Sequence, residues 1–239
     1  MKFDLSQIEF SKKDLQKHIH FPQRLTSELA EIIGLHIGDG HLGYRKDRKS
    51  YILQLMGNPK TEKEHYDNHI SQLWKTVFNI HLKLKNHPNG CYGFQFYSKA
   101  IGTFFNRVLK MPIGKKSKTI RIPDLLKETC KNGISAETIS CIRGIIDTDF
   151  YVNKDRGQIE LGAWFASRNL VLDLQKYLEL ISIQPKLQLD VEYYNSSAKR
   201  YLIRHRIRVR KKEDLLRYLR MIGSNNPKIY NKFNNLNEP

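Results

Sequence analysis

One stretch of this chain occurs twice. Leu29-Ala-Glu-Ile-Ile-Gly-Leu-His-Ile-Gly-Asp39-Gly40 and Ile139-Ser-Cys-Ile-Arg-Gly-Ile-Ile-Asp-Thr-Asp149-Phe150 share one pattern and carry their final acids 110 positions apart. The residues beyond each copy are alike too. After the first come alternating stretches around 51–56, helical periodicity across 62–78, strands near 81–87 and 92–97, and a helix over 99–109. After the second come strands near 151–154 and 159–165, a helix over 170–180, strands near 186–193 and 201–210, and a helix over 213–220. Both halves read α-β-β-α-β-β-α, so a fold of two like units is expected.

The two repeated helices carry small residues every fourth position: Ala30, Gly34 and Gly38 in the first, Ser140, Gly144 and Thr148 in the second. At that spacing they form one stripe along a helix. Glycine inside a helix costs roughly 1 kcal/mol relative to alanine, and close approach of two helix backbones is a reason to keep it. Ala30, Gly34, Ser140 and Gly144 are therefore expected at a helix–helix interface, with Leu29, Ile32, Ile33, Ile139, Ile142 and Ile145 turned toward the sheets. Packing along the stripes brings Asp39 and Asp149 together where both helices end. Two carboxylates beside two negative helix termini repel unless a cation sits between them, and oxygen ligands of that kind suit Mg²⁺.

Forty-one Lys and Arg against 24 Asp and Glu give a net charge of +17, which points to a polyanionic partner, nucleic acid first. At 40% hydrophobic residues the chain is a folded protein rather than a basic disordered tail. No apolar run reaches the roughly 18 residues of a membrane span, and no signal-peptide pattern opens the sequence, so an intracellular setting is expected, cytoplasm or an organelle matrix. Cys91, Cys130 and Cys141 form neither a zinc-ligand pair nor an even disulfide framework.

The segments ending at Asp39-Gly40 and Asp149-Phe150 resemble the paired signature of the LAGLIDADG homing endonucleases, in their single-chain form with two motifs. The resemblance covers roughly residues 22–224. It implies an α+β fold: two pseudo-symmetric αββαββα halves forming a saddle of two four-stranded antiparallel sheets, with the motif helices at the central interface. The expected divisions are a lead at 1–25, a first half at 26–112, a linker at 113–133, a second half at 134–224 and a loosely held tail at 225–239. It further implies a monomer that hydrolyses both strands of a long, pseudo-asymmetric duplex DNA site with Mg²⁺, or Mn²⁺ in its place, leaving short 3′ overhangs. By the same resemblance Asp39 and Asp149 ligate metal, joined by the carbonyls of Gly38 and Thr148. Phe150 departs from the pattern, standing where the first half has Gly40; a bulky residue is costly if the helix end needs left-handed geometry.

Strict alternation over 201–210 sets Arg204, Arg206, Arg208 and Arg210 on one strand face, about 6.6–6.8 Å between neighbours, where they can reach guanine edges or phosphates. Lys83, Lys85 and His87 are their expected first-half counterparts. Lys186, Gln188, Asp190 and Glu192 share a face by the same count, with the two acids either accepting from cytosine or simply exposed. The resemblance also implies a basic or amide side chain near the scissile phosphate, for which Gln54, Asn58, Lys60, Lys154 and Arg168 are candidates, with Lys60 and Lys154 preferred. His65 and His69, four apart without the glutamate of a zinc motif, read as a solvated helix face, whereas Trp74, Phe78, Phe104 and Phe105 read as core. Two rivals remain: a catalytically inactive maturase or DNA-binding regulator, and a splicing element. The latter needs a nucleophile first and His-Asn last, whereas this sequence runs from Met1-Lys2-Phe3 to Leu236-Asn-Glu-Pro239, so a stand-alone enzyme is expected.

Overall fold

The computed structural model describes residues 2–130, 133–155 and 157–234. Positions 131–132 of the expected linker and 235–239 of the expected tail lie outside the described residues. In chain order the helices and strands are α1 (Lys12–Leu15), α2 (Ser27–Ile37), β1 (Gly40–Arg45), β2 (Ser50–Gly57), α3 (Ser71–Phe78), β3 (Lys85–Asn86), β4 (Tyr92–Tyr97), α4 (Lys99–Thr103), α5 (Asp124–Lys127), α6 (Ala136–Asp149), β5 (Tyr151–Asp155), β6 (Gln158–Phe165), α7 (Arg168–Leu180), β7 (Lys186–Asn195), β8 (Arg200–Val209), α8 (Lys212–Met221) and α9 (Pro227–Tyr230). The strands form two antiparallel sheets in the orders β1-β2-β4-β3 and β5-β6-β8-β7, the same order in each half. The repeat predicts two like halves, and the arrangement is the α+β saddle of two four-stranded antiparallel sheets that the resemblance implies.

The two motif helices start on side-chain caps: Thr26 Oγ1 accepts from Leu29 N–H at 3.2 Å and Ser135 Oγ accepts from Thr138 N–H at 3.1 Å. They then pack along their small-residue stripes. A Cβ on Gly34 would lie 2.0 Å from the Cys141 carbonyl oxygen, and one on Gly144 would lie 2.5 Å from that of Glu31. No side chain fits, which accounts for the helix propensity given up at both positions. Ala30 and Ser140 are buried in the same seam.

Each helix turns its apolar side to its own half. Leu42, Leu53, Leu55 and Phe94 of the first sheet are buried against Trp74, Phe78, Phe104 and Phe105, with Trp74 and Phe105 stacked at 6.0 Å. In the second half Leu161, Ala163, Ile207 and Val209 are buried with Leu174, Tyr177 and Tyr218. Full burial of one such aliphatic side chain contributes roughly 1.5–3 kcal/mol, so the sheet–helix layers dominate stability.

The halves differ in detail. The strand expected over 81–87 pairs only at Lys85–Asn86. Leu82 and Leu84 still pack on the core while Lys83 stays exposed, so the alternation survives without its ladder and leaves a cleft of about 440 Å³ beside Phe94 and Phe96. The helices expected over 62–78 and 99–109 each contain a π-helical turn, His65–Ile70 before α3 and Phe104–Val108 after α4. Residues after 224 are not loosely held as far as they are described: Asn226 caps α9, and Ile229 and Phe233 are buried.

Candidate active site and nucleic-acid interface

At the ends of the packed helices a Cβ on Gly38 would meet Thr148 Oγ1 at 1.9 Å and Asp149 Oδ2 at 2.8 Å, so the two motif ends abut. Burial first, and the neighbouring Asp149 carboxylate second, push the Asp39 carboxyl up to about 7. Burial pushes Asp149 up to about 6, against the pull of two lysines. Among the described residues neither carboxylate accepts a hydrogen bond, and no third His, Cys, Asp or Glu completes a metal-binding cluster with them. Two close, accessible, unpartnered carboxylates are a donor set for a hard divalent ion that takes its remaining oxygens from water or phosphate. The residues present fit Mg²⁺ or Mn²⁺ in that sense.

The lysines are Lys116 and Lys228, and sequence reasoning missed both. Lys116 Nζ donates to the carbonyls of Ile37 and Gly38, the latter at 2.6 Å, and so caps the negative end of α2. The Gly38 carbonyl, expected as a metal ligand, here accepts from that ammonium. Burial lowers the Lys116 pKa, while Asp149 and Asp39 oppose the shift. Lys228, on α9, pairs at 3.1 Å with Glu62, a buried carboxylate whose charge also bears on Asp39. Each lysine follows the last long helix of its own half, after Met111-Pro-Ile-Gly114 and after Met221-Ile-Gly223. The repeat thus continues past the point where its periodicity stops.

Behind the acids lies a polar network that the expected solvated face at His65 and His69 did not foresee. Both rings are stacked, and His65 is buried. His69 Nε2 sits 2.6 Å from Glu31 Oε1, Asn225 Nδ2 donates to the same oxygen at 2.8 Å, and Asn225 N–H donates to Asp147 Oδ2 at 3.1 Å. Asn226 Nδ2 donates to the Asp147 carbonyl at 2.7 Å. The segment after α8 is thereby tied to both motif helices, which holds Lys228 in place.

The preferred helpers fall elsewhere. Lys60 is exposed in the turn after β2, and its backbone N–H donates to Asn58 Oδ1 at 2.9 Å. Lys154 pairs with Ile159 on the face of β5 opposite Tyr151 and Asn153. Arg168 pairs with Asp190 at 3.6 Å, and Gln54 Nε2 donates to Gln95 Oε1 at 2.6 Å. Phe150 lies at φ −85°, ψ 149°, extended rather than left-handed, and is buried against Phe165 at 6.0 Å. The helix end needs no glycine there. Gly40 is required for another reason: a Cβ on it would meet His36 Nδ1 at 2.3 Å.

On the sheet faces away from the helices, Arg204, Arg206 and Arg208 share one side of β8 as expected, but they are not equally free. Glu160, buried on β6, accepts from Arg206 Nη2 at 2.6 Å and from Arg210 Nε, and lies 3.6 Å from Arg208. Tyr151 Oη accepts from Arg206 Nη2 at 2.9 Å, and Gln188 Oε1 accepts from Arg206 Nη1 at 3.3 Å. A bulge between Gln188 and Val191, with Asp190 at φ 56°, inverts the alternation of β7. Val191 then faces Arg204, while Glu192 pairs with Ile203 on the other side. The acids Asp190 and Glu192 therefore leave the face of Lys186 and Gln188. In the first half Lys83 and Lys85 are exposed, and His87 is half-buried with Nε2 unpartnered among the described residues. No helix among the described residues is long and apolar enough to cross a membrane.

Residues 137–223 match the LAGLIDADG-like domain. Over 184 residues, 76% of this chain, the sequence is 28% identical to glutamine–fructose-6-phosphate aminotransferase of Methanocaldococcus jannaschii; the match spans only 15% of that protein, one segment of a far longer chain. Among solved structures, the homing endonuclease I-DmoI in complex with DNA and Ca aligns with TM-score 0.55 at 16% identity, over 83% of this chain and 90% of that one. I-DmoI with nicked target DNA and Mn aligns with TM-score 0.55 at 16% identity over 84% and 97%. I-WcaI bound to its DNA recognition sequence gives TM-score 0.51 at 18% identity over 95% and 92%. The chain has the fold of the homing endonucleases I-DmoI and I-WcaI, and residues 137–223 match the LAGLIDADG-like domain by sequence as well.

Proposed function

We propose that the chain is a site-specific endonuclease that hydrolyses both strands of duplex DNA with a divalent metal, working as a monomer inside the cell and leaving short 3′ overhangs. The observation that carries this reading is the pair Asp39 and Asp149: two carboxylates without hydrogen-bond donors among the described residues, held together by a backbone seam at the junction of two basic sheets. A lineage with no use for a cation gains nothing by keeping both, since burial and mutual repulsion make each costly. Asp39 and Asp149 would hold Mg²⁺ or Mn²⁺ against the scissile phosphates, with the Thr148 carbonyl at the open end of α6. Bound there, the metal lowers the pKa of the attacking water and stabilises charge on the leaving oxygen.

The chain's own residues do the rest. Lys116 and Lys228 place positive charge beside the two carboxylates and are the groups best situated to meet the phosphates, a role for which Lys60 and Lys154 are poorly placed. Lys83, Lys85 and the arginines of β8 supply phosphate and base contacts. The excess charge of the whole chain steers the duplex onto the sheets.

Cleavage of duplexes from a randomised library, with Mg²⁺ or Mn²⁺ and the full chain, tests the proposal. Recovery of one family of cut sites, lost in Asp39→Asn and Asp149→Asn, supports it. Tight sequence-selective binding with no cut under either metal replaces it with the binding-only regulator or maturase, a reading that Phe150 no longer favours, because its extended backbone strains nothing.

A further inference from the structure

We infer that the two sheets read chemically different half-sites, the second through a guanine contacted by Arg204 and the first through an adenine contacted by the Gln54–Gln95 pair. The inference rests on the DNA reading above and adds to it the base composition of the target.

Arg204 differs from its neighbours on β8. Its guanidinium lies over the Trp164 ring at 3.9 Å and over the Tyr193 ring at 4.5 Å. Among the described residues it has no carboxylate partner and no hydrogen bond, whereas Arg206, Arg208 and Arg210 all converge on Glu160. Two rings hold the group flat without using its outer Nη1 and Nη2 donors. A phosphate contact needs only charge and tolerates a mobile side chain. A pinned planar fork on the groove face matches the guanine O6 and N7 acceptors, and its ordering is complete before DNA arrives.

The first sheet carries no such group at its centre. Counting from the two aspartates, His41 and Tyr151 are equivalent; their partners are Gln54 and Gly162, and across from those stand Gln95 and Arg208. One step further along, Gly93 stands where the second half has Arg206. At these positions the first sheet therefore has Gln95 and Gly93 where the second has Arg208 and Arg206, and Gln54 where the second has Gly162. Gln54 Nε2 donates to Gln95 Oε1 at 2.6 Å, and Gln95 Nε2 donates to Tyr97 Oη at 3.3 Å. That leaves Gln54 Oε1 to accept and one Gln95 N–H to donate, the complement of adenine N6 and N7.

The test is selection of bound duplexes from a randomised library by the full chain in Ca²⁺, for the parent, Arg204→Lys and Gln95→Ala. Arg204→Lys keeps the charge and removes the fork, and Gln95→Ala alters an exposed side chain; melting curves check that both fold. The expected result is a guanine position in one half-site whose preference falls about 5- to 150-fold in Arg204→Lys, and an adenine position in the other half-site that relaxes in Gln95→Ala. An unchanged base preference in Arg204→Lys, or both variants relaxing the same half-site, overturns the inference while leaving the nuclease reading intact. Failure of the parent to select any duplex overturns the reading on which it rests.

Discussion

The two halves share a backbone and differ in what they show to solvent. Sheet order, motif helix and the acid at its end are repeated, and both seam glycines exclude a Cβ. Yet Ile52 stands where the second half has Glu160, and Met56 where it has Trp164. The difference separates two kinds of constraint. A glycine whose added Cβ would lie 2.0 Å from a carbonyl oxygen of the opposing helix cannot change without moving a backbone, so the seam stays duplicated. Nothing in the fold dictates the outer sheet faces, so they are free to diverge toward two unlike stretches of ligand.

If the centre is as symmetric as the seam, Asp39→Asn and Asp149→Asn each lower double-strand cleavage by about 10³-fold or more while binding persists, since an amide cannot fix the metal's charge. Strand-specific cleavage assays read this directly; a variant that still cuts both strands shows that only one half is catalytic. The residues after the two acids give the next contrast. Phe150→Gly removes a buried ring and is expected to cost about 3–5 kcal/mol in denaturant unfolding without raising cleavage. A gain in cleavage would show that Phe150 obstructs the second half.

Gly34→Ala and Gly144→Ala should each destabilise by about 1–3 kcal/mol, and by similar amounts, because both new methyls point into the opposing backbone. Markedly unequal losses would mean that one helix yields more readily than the other. The smallest expected effect is on pH dependence. A carboxylate raised in the folded state contributes stability that is complete below its unfolded pKa near 4 and lost as pH rises through its folded value. With Asp39 and Asp147 pushed up to about 7 and Asp149 to about 6, the metal-free protein should melt at lower temperature at pH 8 than at pH 5. Added Mn²⁺ should recover most of that loss at pH 8 and little at pH 5, where protons compete for the same oxygens. Asp39→Asn should flatten the slope more than Asp149→Asn, as the larger shift requires.

Much of this was legible in the chain because repetition doubles every signal. A single small-residue stripe is ambiguous; two at domain spacing, each ending on an acid, identify the helix pair and the site centre. What escaped lies where periodicity carries no information. Lys116 in an irregular segment and Lys228 on the one-turn α9 both lie beyond the last long helix of their halves, and only the geometry brings them to the acids. The bulge in β7 was invisible for the opposite reason: alternation runs on through 186–195, and one residue in a left-handed conformation inverts its phase. Asp190 and Glu192 consequently looked like acids on a groove face that they do not occupy. The strand over 81–87 was expected from a pattern that packing satisfies without hydrogen bonds.

The glycine seam is also a gauge. Because Gly34 and Gly144 let the helix backbones touch, the spacing of the two backbones that carry the acids is set by the thickness of two bare polypeptide chains, a length that side-chain motion cannot alter. If the chain cuts both strands as proposed, the stagger between the cuts follows that backbone spacing rather than the residues that bind the bases. A chain can therefore exchange its whole groove face for another target and still leave ends of the same length.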